Sequence, residues 1–261
     1  MSSLKDLASL IMIPSLVKDG RLDTVKPLGN SIIHPDATGN NDGTDGSTPA
    51  EGNFTFTRGS NLSATRVNAS QLIEKGRENL VLQSNSFDNA TWEKRNISVT
   101  GNKSGYDGLN NAWEILPNTS TGAHYIFQFN SNSSGITTTS IYAKANGYTH
   151  FYMYLNTNTT DRAAWFNLDT GSVGTQANTL IDATITDVGN DWYRCDVKQD
   201  IAITSVELYL GGNGENINFT GDGISSILFQ DSQLEQGLVS TSVIETGAST
   251  AQAGILENTP R

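Results

Sequence analysis

Cysteine and positive charge are both scarce in this sequence of 261 residues. The single cysteine, Cys195, excludes an intrachain disulfide framework, so the fold depends on its apolar core and on any partner subunits. Lysine and arginine together number 16 against 27 aspartates and glutamates, which gives a formal net charge of -11. We expect no nucleic-acid partner, because proteins that bind along phosphates need a basic surface.

Long apolar runs are also missing. The most apolar stretch, LASLIMIPSLV at residues 7–17, is interrupted by Pro14 and is too short to span a bilayer. It lacks the basic flank and the small-residue cleavage site of a signal peptide. We therefore predict a protein that is neither secreted nor inserted in a membrane.

Neutral polar residues and short strand-like segments make up most of the chain. Only 16% of the residues are charged, and Asn, Ser, Thr and Gly are abundant, which is typical of turn-rich all-β proteins. After residue 79, β-rich segments such as 125–129, 149–155 and 205–210 alternate with Gly, Asn or Ser turns. We count about ten to twelve strands there and no helical periodicity. The pattern predicts an all-β fold, a jelly-roll-type antiparallel β-sandwich.

Changes in composition divide the chain into four predicted parts. They are a short extended or helical N-terminal segment at 1–35, a Gly/Asn/Asp-rich linker with short strands at 36–78, the β-sandwich at 79–246, and a C-terminal tail or linker to a further domain at 247–261. Residues 36–53 mark the clearest boundary, because they contain almost no apolar side chain.

The N-terminal segment has apolar side chains and nothing of its own to cover them. A short helix is predicted at residues 4–13, because Pro14 cannot continue it. The apolar side chains are those of Leu7, Leu10, Ile11, Ile13 and Leu16. They either pack on the sandwich or dock on a different subunit, since exposed apolar segments commonly mark interfaces.

Catalytic patterns are weak. A hydrolase on a β-sandwich needs two carboxyl groups that face each other across a groove. Asp231 and Glu235 are the nearest candidates, because alternation along a strand places both on one face. They stand beside apolar residues such as Leu234, and the same alternation can send them to solvent, so we predict no enzyme. Cys195 has no neighbouring histidine and is predicted to lie in the core.

Metal-ligand patterns are equally sparse. The histidines, which lack the spacing of a zinc site, are His34, His124 and His150. The acidic residues that we consider for a structural calcium ion are Asp42, Asp45 and Glu51. Their spacing departs from the EF-hand pattern, so a solvated loop is the favoured interpretation. No cofactor is predicted.

Aromatic residues give the remaining signal for binding, because aromatic rings pack against apolar C–H surfaces such as those of sugar rings. The residues predicted to form a glycan-stacking platform are Tyr148, Tyr152, Tyr154 and Trp165. The favoured alternative is that one register of this segment fills the core, together with Phe151, while the other register lies half exposed. The predicted core anchors are Trp92, Trp113 and Trp192.

Three groups of motifs run through nearly the whole chain. They are DLASLIMIPS at 6–15; FTFTRGS at 54–60, ATRVN at 64–68, LIE at 72–74, RENL at 77–80, QSNSF at 83–87 and Trp92; and NDWYRC at 190–195, QLEQG at 233–237 and IET at 244–246. Together they resemble phage virion proteins that carry a concanavalin A-like or carbohydrate-binding-module-like β-sandwich.

The resemblance implies a non-catalytic structural protein of a bacteriophage virion, assembled in the host cytoplasm. It would be a head fibre, a capsid decoration or a tail-fibre component, anchored on capsid or tail proteins through residues 1–35 and displaying the sandwich. Phage fibres are usually dimers or trimers, so we expect self-association. The alternative is a glycan-binding module for adsorption to the host surface, and an active glycanase is a third, less favoured interpretation.

Overall fold

Strands and turns make up the described structure, which is a computed structural model. It describes the strands Pro14–Lys18, Arg21–Thr24, Thr65–Val67 and Ile73–Lys75, and residues 78–129, 133–157, 162–177 and 179–252. Within this part of the chain, no helix is long and apolar enough to cross a membrane. The predicted helix at 4–13 and the boundary segment at 36–53 lie outside the described residues, whereas β3 and β4 are short strands within the predicted linker region 36–78.

The strands pair antiparallel into two large sheets and several two-stranded ones. In chain order they are β1 (Pro14–Lys18), β2 (Arg21–Thr24), β3 (Thr65–Val67), β4 (Ile73–Lys75), β5 (Glu78–Asn79), β6 (Glu93–Arg95), β7 (Ile97–Lys103), β8 (Ala112–Pro117), β9 (Thr121–Ala123), β10 (Tyr125–Phe129), β11 (Thr137–Asn146), β12 (His150–Asn156), β13 (Arg162–Asn167), β14 (Ser172–Gln176), β15 (Asp182–Gly189), β16 (Trp192–Gln199), β17 (Ser205–Leu210), β18 (Asn218–Thr220), β19 (Ser226–Gln236) and β20 (Ala251–Gln252). The chain divides into two units: Met1–Thr57 with Asn258–Arg261, which contains β1 and β2, and Arg58–Glu257, which contains the other strands.

Two six-stranded sheets form the sandwich. The first sheet has the strand order β14-β13-β12-β17-β10-β6, and the second has the order β15-β16-β11-β19-β8-β7. The chain passes repeatedly from one sheet to the other, as between β10 and β11, β11 and β12, and β16 and β17. This architecture confirms the predicted all-β, jelly-roll-type antiparallel sandwich.

Alternation along each strand builds the core between the sheets. In β12, Phe151, Met153 and Leu155 are fully buried, whereas Tyr152 and Tyr154 point to the opposite face and are half buried. The second sheet contributes core residues that include Ile141, Cys195, Ile227 and Phe229. Each fully buried apolar side chain of this size contributes roughly 1.5–3 kcal/mol to folding. The buried position of Cys195 confirms its predicted place in the core.

Asn79 ties the beginning of the sandwich to its end. Its side-chain amide donates to the carbonyls of Ser232 (3.1 Å) and Ile244 (2.8 Å). Its Oδ1 accepts from the backbone N–H groups of Val81 and Leu234, at 3.0 Å each. A fully buried asparagine is thus hydrogen-bonded through both ends of its amide, as burial of a polar group requires.

The tryptophans predicted as core anchors are buried to different degrees. Trp92 and Trp192 are almost fully buried, as predicted. Trp113 is partly buried, and its indole N–H donates to the carbonyl of Asn85 at 2.9 Å. The indole N–H of Trp92 likewise donates to the carbonyl of Gln83 at 3.0 Å, so these two anchors also fix the chain segment that precedes β6.

Candidate functional site

The outer face of the first sheet carries a row of aromatic side chains that crosses several strands. Strand pairing places Trp165 opposite Tyr152, Tyr152 opposite Tyr209, and Tyr209 opposite Tyr125. We call these four residues the aromatic row. Neighbouring strands lie about 4.8 Å apart, so the row extends over roughly 14 Å. Arg95 on β6 continues it beyond Tyr125.

The rings of the aromatic row support one another. The ring centroids of Tyr125 and Tyr209 are 4.2 Å apart with planes inclined by 19°, and those of Tyr152 and Trp165 are 4.8 Å apart. Tyr152 and Tyr209 meet edge to face at 6.4 Å. Such contacts add about 0.5–1.5 kcal/mol per pair and restrict the side-chain rotamers. The surface is therefore pre-organised.

A second row beside the first mixes aromatic and acidic side chains. Pairing aligns Tyr154 with Glu207, and Glu207 with Phe127. Phe127 packs edge to face against Phe129 with 5.3 Å between ring centroids. The Phe129 side chain is 69% exposed. Its ring offers a ligand an apolar surface to contact.

Glu207 is the fixed polar group in this aromatic surface. Its two carboxylate oxygens accept hydrogen bonds from Ser205 Oγ at 2.7 Å and from Tyr209 Oη at 2.8 Å. Burial, and then the bond to Glu207, raise the pKa of Tyr209 well above its ordinary value, so its hydroxyl stays protonated. Glu207 is only 8% exposed, and each of its carboxylate oxygens has the capacity to accept one further hydrogen bond.

The loop at residues 211–216 covers one end of the aromatic row. Trp165 lies on an outer face and yet is only 8% exposed. A β-carbon at Gly211 would overlap the Trp165 ring, so glycine allows the loop to lie directly on it. Glu215 Oε1 accepts from the backbone N–H of Thr175 on β14 at 2.9 Å. The loop therefore reaches from the end of β17 to the edge strand.

Tyr148 lies apart from the other predicted platform residues. Its ring is 4% exposed and packs edge to face against Phe219 at 5.1 Å, and its hydroxyl accepts from the Asp222 N–H at 3.1 Å. Both rings line a cleft of about 460 Å³ whose other walls include Gly212, Asn213, Asn216 and Asp222. The structure thus brings together Tyr152, Tyr154 and Trp165, and separates Tyr148 from them.

Asp231 and Glu235 are buried on the second sheet rather than exposed beside a groove. Asp231 accepts a hydrogen bond from Tyr106 Oη at 3.0 Å, and burial raises its pKa to about 6. Glu235 accepts from the backbone N–H of Thr241 at 2.8 Å and from its hydroxyl at 2.6 Å. Both carboxylates serve internal hydrogen bonds, so their positions favour a structural role over catalysis.

The described histidines do not form a common site with each other or with acidic residues. His124 is fully buried, with Nδ1 2.8 Å from the carbonyl of Asn96 and Nε2 3.2 Å from that of Phe219. His150 Nδ1 lies 2.8 Å from Thr149 Oγ1. Among the described residues, no three His, Cys, Asp or Glu side chains come close enough to hold a metal ion. His34 and the calcium candidates Asp42, Asp45 and Glu51 lie outside those residues.

The predicted anchoring residues fall almost wholly outside the described part of the chain. Those outside it are Leu7, Leu10, Ile11 and Ile13. Leu16 lies on β1, for which only the backbone is described. The anchoring role of this segment stays a prediction.

Several residues of the outer face of the first sheet were not predicted from the sequence. They are Tyr125, Phe127, Phe129, Glu207 and Tyr209. The signal was present, because both β10 and β17 alternate these side chains with residues that face the core. Assigning the faces of each strand, rather than looking for aromatic residues close together in the sequence, would have found them.

No protein-family model and no curated protein matches the chain. Among solved structures, the carbohydrate-binding module TmCBM61 in complex with β-1,4-galactotriose matches with 9% identity, 61% of this chain, 99% of that chain and a TM-score of 0.39. The enzymatically active domain of tailspike protein 4 of bacteriophage CBA120 matches with 15% identity, 62% and 21% coverage, and a TM-score of 0.37. The CBM22-1 and GH10 modules of a Clostridium thermocellum xylanase match with 12% identity, 62% of this chain, 28% of that chain and a TM-score of 0.34. At these identities and TM-scores, the likenesses carry no argument about what this chain binds.

Proposed function

We propose that this chain is a non-catalytic binding protein whose sandwich holds a neutral glycan on the outer face of the first sheet. The observation that carries the proposal is the aromatic row, in which four rings are aligned by strand pairing and the three tyrosines are left partly open to solvent. Aromatic rings offer apolar contact to the C–H surface of a sugar, and tyrosine hydroxyls offer hydrogen bonds to its hydroxyls.

The individual rings have different parts in this proposal. Tyr125 and Tyr209 stack on each other, so a ligand meets their edges and hydroxyls. Tyr152 and Tyr154 are half buried on one strand with centroids 6.2 Å apart. Phe129 has the most exposed ring and is the best placed for direct stacking. A chain of sugars is the fitting ligand, because the contacts are spread over several strands.

The charges on this face favour a neutral glycan. Glu207 lies in the middle of the face, and Glu93 lies on β6 beside it. Arg95 is 3.8 Å from Glu93 and 6.0 Å from the Phe127 ring centroid, so its charge is already compensated. A sugar carboxylate would be repelled by Glu207, whereas a sugar hydroxyl can donate to it.

Binding is tested with soluble polysaccharides in affinity electrophoresis and calorimetry. The neutral probes are xylan, galactan, mannan and hydroxyethylcellulose, and the acidic ones are alginate and polygalacturonate. We expect the wild type to bind at least one neutral probe, and Tyr152→Ala to weaken that binding at least about tenfold. Tyr106→Ala, which removes a ring from a segment that covers the second sheet, is the matched control and should bind as the wild type does. If the wild type binds none of the neutral probes, or if both variants lose affinity equally, the proposal is overturned.

We also propose that the protein is carried on a phage virion, as a head fibre, capsid decoration or tail-fibre component. The support is the resemblance of residues 6–15, 54–92 and 190–246 to such proteins, together with the apolar side chains of the N-terminal segment. Repeated copies on a symmetric particle would convert weak glycan contacts into firm adsorption.

Virion attachment is tested by deleting residues 1–17 and comparing the occupancy of the protein on purified particles. Loss of the protein from otherwise intact particles is the expected result. Unchanged occupancy would overturn the anchoring role of the N-terminal segment.

A further inference from the structure

The two ends of the aromatic row differ. Beyond Tyr125 lies β6 at the edge of the sheet, where the Arg95 and Glu93 side chains are 59% and 46% exposed. At the opposite end Trp165 is nearly buried, although its side chain points away from the core. The cover comes from the loop at residues 211–216 and not from the facing sheet.

Several contacts hold this loop in place. The N–H of Gly211 donates to the carbonyl of His150 at 2.8 Å, and Glu215 accepts from the N–H of Thr175 at 2.9 Å. A β-carbon at Gly174 would overlap the Glu215 carboxylate, so glycine on β14 makes room for this contact. The loop is thus bonded to strands on both sides of Trp165, and it forms a wall across that end of the row.

We infer that this wall makes the site select a free end of a glycan chain over an internal segment, an inference that rests on the proposed function. A glycan chain that lies along the aromatic row can extend over β6 and beyond the edge of the sheet. At Trp165 the glycan chain meets the loop. The terminal sugar would then abut residues 211–216.

Polar groups stand at the closed end to recognise a terminal sugar. Glu215 uses Oε1 for the loop contact, which leaves Oε2 as an acceptor. His150 lies on the same face as Tyr152, with its Nδ1 2.8 Å from Thr149 Oγ1. A chain end carries a hydroxyl that an internal sugar lacks, and sites built to bond a hydroxyl discriminate strongly against ligands without it.

The inference is tested by binding stoichiometry. Xylan, galactan, mannan and hydroxyethylcellulose are each used intact and after partial endo-hydrolysis, and calorimetry gives the moles of protein bound per gram. For a probe that binds, we expect this number to rise by the factor by which the mean chain length falls. A constant number would overturn the inference and leave the proposed function standing. Absence of binding to all four probes would overturn both.

A pair of variants tests the loop itself. Glu215→Ala removes the contact with the Thr175 N–H, whereas Glu215→Gln keeps a carbonyl oxygen that can accept from it. We expect the alanine variant to bind internal segments, so that its stoichiometry follows polysaccharide mass. The glutamine variant keeps the loop contact, so its stoichiometry should still follow the number of chain ends, while its affinity falls because an amide nitrogen replaces the Oε2 acceptor. Identical end dependence in both variants, with binding retained, would show that the loop does not set the selectivity.

Discussion

The two outer faces of the sandwich receive similar side chains and differ in what covers them. On the first sheet, Tyr152 and Tyr209 stay half buried and Phe129 is exposed. On the second sheet, the rings of Tyr142 and Trp192 are buried, because other parts of the chain lie over them. One of these parts brings Tyr106 onto Tyr142, with ring centroids 3.8 Å apart and planes 9° from parallel.

The acidic residues on the outer faces of the two sheets differ in the same way, in what covers them. Asp231 and Glu235 on the second sheet are bonded to residues of the covering segments, Tyr106 and Thr241. Glu207 on the first sheet is bonded within its own strand, to Ser205 and Tyr209. Outward-facing aromatic and acidic side chains therefore occur on both sheets. Whether they stabilise the fold or remain available to a ligand depends on the connecting segments.

The largest expected effect is on the covered face. Trp192→Ala removes a buried ring from the cluster with Tyr142 and Tyr106, and we expect the free energy of unfolding to fall by about 3–5 kcal/mol. Urea denaturation measures the change. A decrease of less than about 1 kcal/mol would mean that the covering segments pack only weakly against Trp192.

The next effect depends on pH. The pKa of Asp231 is about 6 in the folded protein against an ordinary 3.8, so the folded state holds the proton longer than the unfolded chain does. The stability that this group contributes is therefore complete below about pH 4, is lost as pH rises through about 6, and amounts to at most about 3 kcal/mol. Asp231→Asn should lack that fall, and asparagine also tolerates the φ of 53° at this position. Equal pH profiles for the variant and the wild type, measured by urea denaturation from pH 4 to 7, would contradict this account.

Glu207→Gln tests the polar group of the open face. The amide can accept from only one of the two hydroxyls of Ser205 and Tyr209, so we expect a stability loss of about 1 kcal/mol. Glycan affinity should fall roughly tenfold, because a hydrogen bond to a charged acceptor is replaced by a weaker neutral one. Calorimetry with the neutral probe measures this loss, and undiminished affinity would place Glu207 outside the binding site.

The smallest effect on stability is expected for Phe129→Ala. Because the ring is 69% exposed, the free energy of unfolding should change by no more than about 0.5 kcal/mol. Affinity for the neutral probe should fall several-fold, since a stacking ring is removed. A large loss of stability without loss of affinity would show that Phe129 supports the fold instead of the site.

The fold could be predicted because alternation and turn residues are local signals. The segments 125–129, 149–155 and 205–210 were all recognised as strands, and each forms one within about a residue of those bounds. Tyr148 is a residue whose position alternation predicts wrongly. Alternation extended backward from Tyr152 places it on the outer face, but β12 begins at His150. The positive φ of Gly147 turns the chain just before Tyr148, and its ring packs on Phe219 instead.

Other features of the site depend on contacts between distant residues. Gly211, Gly212 and Gly214 indicate a turn in the sequence, but nothing local shows that this turn covers Trp165. The positive φ of Asp231 accompanies a register shift between β11 and β19, which simple alternation does not predict. The burial of Glu235 depends on Thr241, beyond the end of its strand.

The most direct test of the central claim is an NMR titration of the labelled protein with the neutral oligosaccharide obtained from the polysaccharide that binds. We predict shifts on the outer face of the first sheet, at Trp165, Tyr152, Tyr209 and Tyr125, with the second sheet and the side chains of Tyr148 and Phe219 unchanged. Shifts confined to the second sheet, or to the cleft beside Tyr148 and Phe219, would contradict the claim.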